Sequence, residues 1–176
     1  MKNGRFIVFE GPDGSGKSTQ ARKLADYLTG KGETAEVIRD PGGTPVGEQI
    51  RSMLLDPSSG NICTEAELFL FMASRAQTVK EVIVPALKKG KTVISERFVY
   101  SSEAYQGSGG GLDTDVISAV GDVATAGVRP DAVFLLDIRT GIPLPRRVSV
   151  QLHLGQMEWR LPAWRGTGID LEADLG

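Results

Sequence analysis

The chain has 176 residues, 20 Lys and Arg against 22 Asp and Glu, a net charge of -2 and one cysteine, Cys63. That is enough for one domain with its own core, and the charge balance offers no basic stripe of the kind nucleic acid requires. A lone thiol excludes an intrachain disulfide, no stretch approaches the roughly 20 apolar residues of a membrane span, and Phe6–Phe9 is too short for a signal h-region, so a cytoplasmic protein without membrane or nucleic-acid partners is expected.

Arg5–Glu10 is a short apolar run that reads as a buried strand. Behind it comes Gly11-Pro12-Asp13-Gly14-Ser15-Gly16-Lys17-Ser18-Thr19, which fits the phosphate-loop pattern G-x-x-x-x-G-K-[ST]. Ala21, Leu24, Ala25 and Leu28 then share one helical face. Strand, glycine loop and helix N-terminus together form an anion site, where backbone N–H groups and the helix dipole converge on phosphates. Lys17 is expected to reach the β- and γ-phosphates of ATP, and the Ser18 hydroxyl to ligate Mg²⁺.

Thr34–Arg39 is a second strand, followed by the loop Asp40-Pro41-Gly42-Gly43-Thr44-Pro45 and a helix over Val46–Leu55. Thr64–Lys89 is a long helix with Leu68, Met72, Ala76, Val79, Ile83 and Leu87 on one stripe. Thr64 and Glu67 suggest a capping box, Gly90 a stop, and Pro85 a kink or break in the last turn. Lys91–Glu96 is a third strand, Asp113–Ala126 a helix and Asp131–Asp137 a fourth strand. This alternation predicts an α/β domain, a parallel sheet with helices on both faces and ligands beyond the carboxyl ends of the strands.

The phosphate loop, Arg39-Asp40-Pro41-Gly42-Gly43-Thr44, Phe71 to Gln77, Glu96-Arg97-Phe98 and Ser101 to Gly107 occur in an order and spacing that resembles thymidylate kinase, over residues 5 to 137. The resemblance implies a P-loop NTPase fold of the nucleoside monophosphate kinase type, ATP and Mg²⁺ as cofactors, dTMP as acceptor and a homodimer packed through its long helices. It implies Asp13 on the acceptor's 3′-hydroxyl, Arg97 and Arg39 on its phosphate, and Phe71, Arg75, Ser102, Tyr105 and Gln106 around its deoxyribose and base. Glu96 takes the place of the family's strand-end aspartate, beside Ser18 as metal ligand. Phe71 and Arg75 lie four apart on one helix face, so a stacking ring and a guanidinium can share one rod. Taken alone, Phe71 equally suits a core and Arg75 a surface charge; Arg97 suits a structural ion pair, Tyr105 a turn and Gln106 a solvated surface.

Three positions depart from the family's pattern. Glu96 is one methylene longer than the usual aspartate, a displacement of about 1.5 Å that can cost 10²-fold in rate. Asp40 is one shorter than the usual glutamate, and Val99-Tyr100 stands where an acid is common before Ser101. The larger departure follows Ile138. Residues 1–137 read as the kinase core, and 138–176 as an irregular tail in place of an arginine-rich lid, a strand and a closing helix. His153, Trp159, Trp164 and three of the nine prolines lie there. The shift resembles a reading-frame change, since Trp159–Trp164 can be back-translated so that a shifted frame reads Glu-Ala-Ala-Ser-Leu-Glu; a short, diverged terminus is the other reading. Gly14-Ser15 in the loop implies that the lid should supply the arginines, leaving Arg146, Arg147, Arg160 and Arg165 as candidates. An open sheet edge beside Asp131–Asp137 and weak catalysis are therefore expected. The rivals to dTMP phosphorylation are a nucleotide-binding scaffold with impaired turnover and a kinase of another nucleotide or nucleoside.

Overall fold

The structure, a computed structural model, describes residues 4–138, 148–154 and 157–160. Strands β1 (Phe6–Glu10), β2 (Ala35–Arg39), β3 (Thr92–Glu96) and β4 (Ala132–Ile138) form a parallel sheet in the order β2-β3-β1-β4. Helices α1 (Lys17–Gly30), α2 (Pro45–Leu55), α3 (Thr64–Thr78), α4 (Val84–Lys88), α5 (Val99–Ser102) and α6 (Thr114–Thr125) connect them.

Period-2 alternation puts apolar side chains on both faces of β1 and β3, so both faces must be covered. On one face, Phe6, Val8 and Val93 pack with Ile38, Val79, Ile83 and Phe98. On the other, Phe9 and Ile94 pack with Ala21, Leu24 and Leu28 of α1 and with Leu136. Leu68 and Met72 of α3 meet Ile117 and Ala124 of α6 in a third cluster.

The long helix does not run as one α-helix. Val79–Ile83 is a π-turn between α3 and α4, and it precedes Pro85, where the ring would clash with the carbonyl four residues back. The break thus falls a turn earlier than Pro85 itself. Nor is Thr64 a cap: Cys63 is, without a side-chain bond, and Thr64 opens the helix. α5 runs on into a wide π-turn, Glu103–Gly109, that the glycines of this stretch conceal from periodicity.

The expected open edge beside β4 is not there. β5 (Val148–Leu154) pairs antiparallel with β4, Val133 opposite His153 to Ile138 opposite Val148, and β6 (Met157–Arg160) pairs antiparallel with β5. The stretch read as wholly irregular therefore extends the sheet to six strands. Alternating Val148, Val150, Leu152 and Leu154 carried a strand signal, masked by the prolines before it. Among the described residues no helix follows β4.

Candidate active site

Adjacent strand ends bring the motifs together. The Asp40 N–H donates to the Glu96 carbonyl and the Arg97 N–H to the Phe9 carbonyl, both at 2.9 Å, so β2, β3 and β1 deliver Asp40, Glu96-Arg97 and Gly11 side by side. Gly11 turns at φ 137°, and a Cβ there would lie 2.3 Å from the Leu136 carbonyl oxygen. Gly16 caps α1 at φ 95°; no side chain bonds the first-turn amides and no acid sits among them. Those N–H groups are left to an anion.

Lys17 is buried, its Nζ donating to the carbonyls of Gly11 at 2.8 Å and Pro12 at 2.7 Å. Burial, then the Arg97 charge, pushes its pKa down against the pull of Asp13, Glu10 and Glu96. The Ser18 hydroxyl donates to Glu96 Oε2 at 2.5 Å, so the longer carboxylate still reaches the loop. Two hard oxygen donors at the loop's mouth suit Mg²⁺. Among the described residues no group of three or more His, Cys, Asp or Glu could hold an ion alone.

A cleft of about 490 Å³ runs along the loop, lined by Gly14, Gly16, Lys17, Ser18, Thr19, Arg39 and Glu96. A second hollow of about 250 Å³ lies between Phe71, Arg75, Ser102, Tyr105 and Gln106. Asp13, Asp40, Arg51 and Arg97 line both.

Arg97 has φ 72°, a left-handed backbone that costs about 1–2 kcal/mol in a non-glycine residue. Ser95 Oγ holds it by donating to its carbonyl at 2.7 Å. The guanidinium donates to Ser101 Oγ at 3.0 Å and to Asp13 Oδ1 at 2.6 Å, and lies 5.2 Å from the Tyr105 ring centre. Arg97 holds the Asp13 carboxyl below the usual range. Asp13 is 96% exposed, so this pair is worth about 0–1 kcal/mol and is easily exchanged for a ligand.

Arg75 is 2% exposed. Its Nε donates to Asp40 Oδ2 at 2.5 Å, its two terminal nitrogens to Ser102 Oγ at 3.2 Å each, Nη2 also to the Phe98 carbonyl and Nη1 to Met72 Sδ, both at 3.1 Å. Burial pushes the Asp40 carboxyl up, with Arg75 working against it, and its Oδ1 has no hydrogen-bond partner.

The family model for thymidylate kinase matches residues 9–152. The chain is 51% identical over 141 residues to the thymidylate kinase of Thermosipho africanus, covering 80% of this chain and 70% of that one. The chain belongs to the thymidylate kinase family. It is also 47% identical over 133 residues to the Desulfosudis oleivorans thymidylate kinase, covering 76% of this chain and 62% of the relative. The crystal structure of thymidylate kinase from Ehrlichia chaffeensis superimposes with a TM-score of 0.72 at 38% identity, covering 77% of this chain and 72% of that one. The chain thus spans about two thirds of the length of the curated relatives it matches.

Within this thymidylate kinase family member the motif residues converge, but not in every state expected from the sequence. Arg75 is no surface charge: its donors are engaged inside the protein. Phe71 is partly buried and lines the hollow. Tyr105 is half exposed, whereas Gln106 is buried and donates to Glu67 Oε1 at 3.1 Å. Arg39 is half exposed and donates to Glu48 at 2.8 Å. The family match continues past residue 137 into β5. Arg146, Arg147 and Arg165, with most of the stretch bearing on a frame change, lie outside the described residues, while Arg160 pairs its backbone opposite Gln151 in β6.

Four residues escaped the sequence reading. Arg51 lines both hollows and donates to the Pro41 carbonyl at 3.0 Å. Its signal was to be the lone cation of α2, directly after the glycine loop. Glu67 and Ser101 line the smaller hollow. Glu10 is buried at the end of β1, where an acid among Phe6, Val8 and Phe9 breaks the apolar run.

Proposed function

We propose that this chain transfers the γ-phosphoryl group of ATP to dTMP, giving ADP and dTDP. The observation that carries this reading is the shared lining of the two hollows: Arg97, Arg51 and Asp13 stand between a phosphate loop and an aromatic pocket of nucleoside size. The α1 amides and Lys17 would bind the donor's β- and γ-phosphates, with Lys17 exchanging its bonds to Gly11 and Pro12 for them. Ser18 and Glu96 would hold Mg²⁺, which neutralises phosphate charge. Arg97 and Arg51 would grip the acceptor phosphate, and Asp13 would leave Arg97 for the 3′-hydroxyl. Phe71 would stack on the pyrimidine, Gln106 and Ser102 would face its edge, and Arg75 would exchange its weak bond to the Met72 thioether for a base carbonyl. Such transfer needs positioning and charge neutralisation rather than a nucleophile, and no nucleophile–base pair is called for.

The half-exposed Met53, Leu55 and Phe69 on α2 and α3, which pack together, support a homodimer through these helices, and the lone thiol suits a cytoplasmic protein. No helix of the described residues is long and apolar enough to cross a membrane. The test is ADP release with dTMP, with dUMP and with no acceptor. Acceptor-dependent release fastest with dTMP is expected. Release independent of acceptor would refute the transfer, and none at all would favour a binding scaffold.

A further inference from the structure

A buried carboxylate is costly unless every oxygen is bonded, and packing alone would have continued the apolar run of β1. Glu10 instead sits 4% exposed at the strand's last position, where burial pushes its carboxyl up and hydrogen bonds from Ser101 and Phe98 oppose that. Oε1 accepts the Phe98 N–H at 2.8 Å, and Oε2 accepts the Ser101 hydroxyl at 2.6 Å. With its hydrogen so directed, Ser101 turns its oxygen lone pairs to Arg97 Nη1 at 3.0 Å. The Phe98 bond lies directly after the left-handed backbone of Arg97. One carboxylate therefore fixes both the turn that carries Arg97 and the partner that aims its guanidinium.

We propose that Glu10 is a positioning residue for the acceptor's phosphate, acting through Ser101 to set the direction in which Arg97 presents its guanidinium. This rests on the reading of Arg97 as the acceptor-phosphate ligand. The two ends of the relay are unlike in kind. Arg97 lines the hollow, where the acceptor's phosphate would meet it; Glu10 does not line it and bonds to Phe98 and Ser101.

Glu10→Gln isolates the relay. Its amide oxygen can keep the Phe98 bond, so the turn survives. Its amide nitrogen donates where a carboxylate accepted, so Ser101 receives two donors and its own hydrogen loses its acceptor. The readout is the affinity of dTMP against thymidine, two ligands that differ only in the phosphate, measured by calorimetric titration of the full chain. Glu10→Gln should lower the preference for dTMP about tenfold while thymidine affinity stays within about twofold, because the loss falls on the phosphate grip alone. Ser101→Ala cuts the same relay without touching the carboxylate, should act in the same direction, and decides the matter if the glutamine variant does not fold. An unchanged preference in a folded variant overturns the proposal, and so does an equal fall for both ligands, which is the mark of a merely structural role. Arg97→Ala serves as reference. If that variant keeps the full preference for dTMP, the phosphate reading of Arg97 itself has failed, and the relay falls with it.

Discussion

The Asp40–Arg75 pair lines the smaller hollow, and Asp40 the phosphate cleft as well, so its loss should be felt in stability and in acceptor binding together. Asp40→Ala leaves the Arg75 guanidinium 2% exposed with no counter-charge on its Nε. Removing one partner of a buried pair costs about 3–5 kcal/mol. Two features of this site place it near the lower bound. The other Arg75 nitrogens stay bonded to Ser102, Phe98 and Met72, and Asp40 borders the clefts, so water can enter where its carboxylate was. At about 3 kcal/mol, with about 2–4 °C per kcal/mol for a domain of 150–250 residues, the melting temperature should fall by about 6–12 °C. Differential scanning calorimetry reads that shift, and dTMP titration below the transition should show weakened binding, because Arg75 loses the bond on Nε that sets the tilt of its guanidinium. Asp40→Asn keeps a hydrogen-bond acceptor and removes the charge, so it should fall between wild type and the alanine variant. If the asparagine variant melts with wild type, the charge at position 40 is not what stabilises Arg75, and the ion-pair reasoning is refuted.

Lys17→Ala should weaken ATP·Mg²⁺ binding by about 10²-fold or more, since it deletes two charge-assisted phosphate bonds of roughly 1.5–3 kcal/mol each, while the circular dichroism spectrum is kept; unchanged affinity in titration would sink the phosphate-loop assignment. Gly11→Ala places a methyl 2.3 Å from the Leu136 carbonyl at a φ of 137°, and should lower both the melting temperature and ATP affinity; a variant as stable as wild type would show that the loop relaxes freely. Glu10 titrates from a raised native pKa against an ordinary value of 4.5 in the unfolded chain, so its contribution is present below that value and lost as pH rises through the native one. Denaturant unfolding should therefore find Glu10→Gln gaining on wild type between about pH 4.5 and pH 7, and a gap constant over that range would contradict the raised pKa.

Local chemistry was enough to write much of this protein from its sequence. A glycine at 11 and at 16, a lysine and a serine behind them, and an apolar strand before them already specify an anion site. Each requirement is met by the backbone within a dozen residues. The alternation of short apolar runs with helical stripes likewise specifies a parallel sheet, because both faces of β1 and β3 must be covered. Phe71 and Arg75 could be placed on one helix face by spacing alone.

What periodicity cannot report is where a side chain's polar atoms end. Arg75 has the spacing of a substrate ligand and of a surface charge, yet tertiary packing buries it against Asp40, a residue 35 positions away. Glu10 and Arg51 gained their roles only when β1, β3 and α2 were brought to one end of the sheet, since neither has a partner nearby in sequence that would reveal it. The edge of β4 was decided in the same way. Strand pairing is a contact between distant backbones, so nothing in Ala132–Ile138 could announce that Val148–Leu154 would cover it. The sequence by itself determined which groups are present and how each segment is shaped; the fold alone decided which of those groups meet, because burial and hydrogen bonding are properties of neighbours in space.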